Sequence, residues 1–202
     1  PSSPEPGRPR GRRRRRPRQA LSATATVLLG ALILWLAVPR VMASLWLASR
    51  DPVMERVAAG EPVADAELLG LIASRELALD WVDDRETYDQ LATAFAELAF
   101  RAGAADVSGR AALGQAIEAT RAGLALAPAD PKDWMQLGYL LMLRDGDPSR
   151  AAAEAFLFSI RTGPFQAPDF LRRRLFWSLA HWAFYDEEER REIADQVRLA
   201  WR

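Results

Sequence analysis

Residues 131–164 read PKDWMQLGYLLMLRDGDPSRAAAEAFLFSIRTGP, a run that is punctuated by helix signals at both ends and in the middle. Asp130 stands before Pro131, a capping carboxylate ahead of a residue that fits the first helical position because its missing N–H has no partner there anyway. Apolar residues then recur at three- and four-residue spacing up to Gly146, where a helix should stop. Asp147 before Pro148 repeats the start signal, and Gly163 with Pro164 repeats the stop. The stretch is therefore two helices joined by a short turn. Packing logic fits: a small residue such as Gly138 or Ala152 lets two backbones approach, and Trp134 or Phe156 fills the space beside it.

Outward from this pair, the chain from residue 65 onward repeats the same grammar. Asp65 precedes AELLGLIASRELALDW, Asp83 or Asp84 precedes RETYDQLATAFAELAFRAG, and Ser108 precedes GRAALGQAIEATRAGLALAP. Asp186 with Glu189 has capping-box spacing, and Gly103 marks another stop. No alternating strand pattern appears, so about seven helices are expected after the membrane span, with a short juxtamembrane helix or linker at 51–60.

The spacing resembles the tetratricopeptide repeat. Trp134, Leu137, Gly138 and Leu141 fall on the first-helix pattern, and Ala152, Phe156, Ser159 and Pro164 on the second. A preceding unit offers Tyr88, Leu91, Ala92 and Phe95, then, after a twelve-residue insertion, Ala116, Thr120, Gly123 and Pro128. A third pair, 169–185 and 186–202, follows the pattern loosely through Leu175, Ser178, Leu179 and Trp182. The resemblance implies an all-α chain, one transmembrane helix followed by an antiparallel helix-pair array, with a concave surface that grips an extended peptide or partner subunit. It is similar to periplasmic repeat domains of cytochrome c maturation proteins and to membrane-anchored repeat proteins of polysaccharide and envelope systems. An irregular helical domain with coincident spacing is the alternative. Trp134, Gln136, Tyr139 and Arg144 are the expected groove or packing residues.

The amino-terminal part is of a different kind. Residues 1–18 carry eight arginines against Glu5, a charge of +7 that leaves −7 on the rest of a chain of zero net charge. With nothing apolar to bury, residues 1–19 are expected to be a disordered basic tail. Residues 20–38 contain no charge and would span about 28 Å as a helix, so 20–49 is expected to cross a membrane, with 50–83 a juxtamembrane linker and helix and 84–202 the repeat-like domain. Arginines before the span place the amino terminus in the cytoplasm and the body in the periplasm of a bacterial inner membrane. Abundant alanine and the near-exclusive use of arginine over lysine point to a GC-rich bacterial source. Cleavage of the span as a signal peptide near Ala43 is the alternative. The tail is expected to meet anionic lipid; nucleic-acid binding is disfavoured because no folded reader or aromatic platform accompanies it.

Composition excludes much chemistry. The absence of cysteine removes disulfides, thiol redox chemistry and iron–sulfur ligation, and one histidine, His181, cannot build a histidine metal centre. There is no phosphate-binding glycine loop and no G-x-S-x-G. No catalytic residue, metal or cofactor is assigned. An enzyme would have to draw on carboxylates such as Asp80, Asp83 and Asp84 gathered in a cleft, although caps and turns explain these positions. Arg172, Arg173 and Arg174 must fan apart at 100° per residue; Arg172 and Arg173 are the expected contacts for an acidic partner.

Overall fold

The computed structural model describes residues 16–103, 105–146, 148–164 and 166–200, with side chains described from residue 24. The expected tail up to residue 15 and the Asp147 cap lie outside these residues. Among the described residues the chain is all-helical: α1 Arg16–Ala48, α2 Asp51–Ala58, α3 Asp65–Leu79, α4 Arg85–Ala102, α5 Val107–Leu126, α6 Pro131–Asp145, α7 Arg150–Thr162, α8 Pro168–Ala180 and α9 Glu187–Ala200, with a 3-10 turn at Trp182–Phe184. Two units divide it, one up to Val41 and one from Met42.

The first unit is helical from Arg16, so the last tail residues, 16–19, already belong to α1. Pro17 is tolerated there because first-turn N–H groups have no intrahelical partner. Thr24–Ala48, 25 residues, is long and apolar enough to cross a membrane. At 1.5 Å per residue it is about 37 Å long, more than a hydrocarbon core of about 30 Å requires. The Arg40 guanidinium, next to Pro39 within this helix, donates to the Leu36 carbonyl one turn back.

In the second unit each helix from α2 to α9 packs against its neighbour in sequence. The caps show which local signals were sufficient. Asp130 accepts from the Lys132 and Asp133 N–H groups, Asp84 accepts from Thr87 N–H, and Asp186 and Glu189 bond each other's backbone N–H as a capping box. Gly146 ends α6 in the left-handed region, φ 75°. Three starts differ from expectation. Helix α3 is capped at Ala64, whose N–H is taken by Glu67, with Asp65 already in the first turn. Helix α5 is capped by Asp106 rather than Ser108, and α7 by Ser149. At α5 and α7 a polar residue two positions away accepts from the first-turn N–H groups; at α3 Glu67 instead reaches back to the Ala64 N–H.

Three apolar clusters hold this unit together. Val53, Leu68, Leu71 and Ile72 from α2 and α3 pack with Leu91, Ala92 and Ala94 of α4, so the residues directly after α1 belong to the core as well. Leu113, Ile117 and Leu124 of α5 join Leu137, Leu140 and Leu141 of α6 and Ala152 and Phe156 of α7. Helix α7 turns its other side, Ala153, Leu157 and Ile160, to Leu175, Tyr185 and Ile193. Alanine at 152, 153 and 155 is what lets one helix be covered on both sides.

Two arginines lie inside. The fully buried Arg75 side chain donates to Asp51 at 2.8 Å, Gln90 at 2.9 Å and the Leu47 carbonyl at 2.9 Å, joining the ends of α1 and α2 to α3 and α4. Arg174 donates to the Ser159 and Gly163 carbonyls at 2.7 and 2.8 Å and to Gln196 at 2.6 Å. Among the described residues no carboxylate pairs with Arg174, and burial lowers its pKa to about 10, so it remains charged at neutral pH.

Candidate functional site

On α6, residues 132, 135, 136 and 139 follow the i, i+3, i+4, i+7 rule and form a stripe beside the buried Leu137, Leu140 and Leu141. Lys132, Met135, Gln136 and Tyr139 on this stripe, with Phe170 and Arg173 of α8, line a groove of about 380 Å³. Three of the expected contact residues, Gln136, Tyr139 and Arg173, thus meet in one place. The Tyr139 ring lies 6.1 Å from that of Phe100 on α4 and 5.6 Å from that of Trp177 on α8, and Phe176 continues the row 4.9 Å beyond.

The other three expected residues lie elsewhere. Trp134 stacks on Phe158 at 4.8 Å and donates its indole N–H to the Pro128 carbonyl at 2.8 Å, so it packs the α6–α7 pair. Arg144, in the last turn of α6, pairs with Asp145 at 2.8 Å. Arg172 pairs with Asp169 at 3.1 Å and borders a second, apolar groove of about 450 Å³ with Leu175, Phe176, Leu179, Val197 and Ala200. The arginine triplet therefore divides between two grooves and the core.

Lys132, Met135 and Phe170 were missed as groove residues, although the helical spacing from Gln136, Tyr139 and Arg173 points to all three. Among the described residues neither the Lys132 ammonium nor the Arg173 guanidinium has a hydrogen-bond or ion-pair partner, although Lys132 is near enough to Asp89 and Asp133 to favour their charged forms. Most other arginines of this unit are engaged: Arg85, Arg101, Arg121, Arg150 and Arg161 all pair with carboxylates. Two solvent-facing cations over a half-buried floor of methionine and aromatic rings can hold an anionic group and an apolar one together.

The carboxylates are arranged differently. Asp80, Asp83 and Asp84 are exposed; Asp84 caps α4, and Asp83 accepts the Tyr88 hydroxyl at 3.0 Å. None of them lines either groove. His181 is fully buried against Phe156 and Phe184, its Nδ1 donating to the Trp177 carbonyl at 2.8 Å. Comparison with family models, curated proteins and solved structures finds no match.

The least expected carboxylate is Asp133, one residue from the groove stripe and on the inner side of α6. Its side chain is 4% exposed, neither oxygen has a hydrogen bond, and the nearest cation is Arg85 Nε at 3.4 Å. Asp130 holds the same guanidinium more closely, at 2.7 Å. Burial first, and then the Asp130 charge, push the Asp133 carboxyl up to about 6 against the pull of Arg85. The native state then keeps this proton up to about pH 6, whereas an unfolded aspartate releases it near pH 4. Ionisation therefore costs native stability above pH 6, and the cost disappears as pH falls through the interval toward 4. Asp133→Asn is expected to stabilise the protein by about 1–3 kcal/mol at pH 7.5 and by nothing measurable near pH 4. Thermal melts of both proteins across this range check it; an equal difference at both ends would contradict the assignment.

Proposed function

We propose that this chain is a single-pass protein of the bacterial inner membrane whose periplasmic helical body, built of tetratricopeptide-like antiparallel pairs, holds an extended segment of a partner protein. The observation that carries this reading is the α6–α8 groove, where Gln136, Tyr139 and Arg173 converge with Lys132, Met135 and Phe170. At one end the half-buried Tyr139 ring meets those of Phe100 on α4 and Trp177 on α8, an apolar surface suited to side chains of a strand-like ligand. The role is scaffolding rather than catalysis. Assistance to cytochrome c maturation and service as an accessory subunit of polysaccharide or envelope biosynthesis both fit such a surface, and the captured partner assigns the pathway. The span Thr24–Ala48 supplies the anchor, and the arginine run before it supplies both the orientation and a contact with anionic lipid.

The orientation is tested with one cysteine. Because the chain has none, Ala151→Cys on the exposed side of α7 gives a single thiol. Ser159, although near it in sequence, is fully buried and donates to the Pro131 carbonyl at 2.6 Å, so it would report burial and not side. A membrane-impermeant maleimide applied to intact spheroplasts is expected to label Cys at 151 fully. Labelling only after the membrane is broken would place the body in the cytoplasm and end the periplasmic reading.

A further inference from the structure

We propose that the α6–α8 groove selects partner segments in which an acidic residue stands next to an apolar or aromatic one. This rests on the groove being a protein-binding surface and adds the chemistry of what it accepts.

Charge complementarity carries the inference. Beyond residue 18 the chain has 19 basic and 26 acidic side chains, so an acidic ligand is repelled by most of the body. Most arginines there are held by carboxylates, by buried carbonyls or by an aromatic face, as Arg190 is over Trp182 at 5.5 Å. Lys132 and Arg173 are exposed, have no carboxylate within ion-pair distance among the described residues, and line one groove from opposite helices. A carboxylate between them takes charge-assisted hydrogen bonds that no described residue already makes, although Asp89 and Asp133 lie near enough to Lys132 to share its charge. Beside it Met135, Tyr139 and Phe170 offer an apolar floor, and the Gln136 amide can both donate to and accept from a ligand backbone. The cations thus set the register of the segment, and the floor supplies the buried area.

A peptide is favoured over an acidic glycan by the make-up of the floor: Met135 is a flexible thioether that fits an apolar side chain but offers no flat face on which a sugar would stack.

The test is a selection. The full chain, in lipid nanodiscs, is panned against a randomised linear peptide library, in parallel with the double variant Lys132→Gln, Arg173→Gln and with Tyr139→Ala, after each variant has been shown to melt like the parent. The parent is expected to enrich peptides with Asp or Glu adjacent to Phe, Leu, Met or Tyr. The double variant should bind those peptides at least roughly tenfold more weakly and lose the acidic preference, and Tyr139→Ala should lose the apolar one. Enrichment that depends on Tyr139 but carries no acidic residue would overturn this inference and leave the peptide-binding function standing. No enrichment above empty nanodiscs would remove both. Binding of oligogalacturonate that competes for the groove more strongly than any selected peptide would give the surface to glycans instead.

Discussion

Phe156→Ala is expected to destabilise the helical body by about 3–5 kcal/mol, lowering its melting temperature by roughly 6–20 °C. Phe156 is fully buried where α6, α7 and α8 meet, with the His181 ring 5.1 Å away. Its ring also fills the space that Gly138 leaves open: a Cβ at position 138 would stand 2.8 Å from the Phe156 ring atoms. The pair therefore predicts a reversal of sign. Gly138→Ala in the parent should cost about 1–3 kcal/mol from overpacking, outweighing a helix-propensity gain of about 1 kcal/mol. In the Phe156→Ala background the clash is gone, and the same substitution should be neutral or stabilising. A double-mutant cycle by urea unfolding measures this directly, and additive effects would show that the two residues do not share this contact.

The second large effect belongs to Arg75. Arg75→Ala is expected to cost about 3–5 kcal/mol, because it removes a buried stem and strands the Leu47 carbonyl and the Gln90 amide that the guanidinium serves. Asp51, about half exposed, can be solvated and adds less. Arg75→Lys should recover under half of the loss, since one ammonium cannot serve acceptors on α1, α2 and α4 in the planar geometry of a guanidinium. If lysine restored full stability, the arrangement of acceptors would be incidental. Amide exchange offers a second readout: protection at the carboxyl-terminal turn of α1 and the start of α2 should fall first.

The helices were legible because each was punctuated. Asp130–Pro131 and the Asp186–Glu189 pair carried their starts alone, the choice between Asp83 and Asp84 falls to Asp84, and Gly146 adopts the left-handed conformation that its position demanded. Where two polar residues stood close together, as Asp106 and Ser108 do, sequence order could not decide which one accepts the N–H. The buried arginines were hidden by residue type, since arginine is ordinarily a surface residue. Arg174 was nonetheless in register with Leu171, Leu175 and Ser178, all buried, so the helical period placed it inside while its chemistry suggested outside. Asp133 drew no reading from the sequence, since a carboxylate in the first turn of a helix is ordinarily a solvated one.

The groove was half legible. Gln136 and Tyr139 were found, and Trp134 was set with them although its position is rotated onto the α7 side. What the sequence could not supply is the neighbour: Phe170 and Arg173 reach the α6 stripe only because α8 packs where it does. Arg172 and Arg173, adjacent in the chain, consequently serve different grooves.

Photo-crosslinking from within the groove tests whether it holds a partner protein. A photoreactive phenylalanine analogue placed at Gln136, and separately at Glu118 on an exposed part of α5, is activated in growing cells expressing the full chain. The account predicts discrete crosslinked proteins from position 136, lost when Lys132 and Arg173 are both changed to glutamine, and none of the same species from position 118. Identical adducts from both positions, or none from position 136, would contradict it.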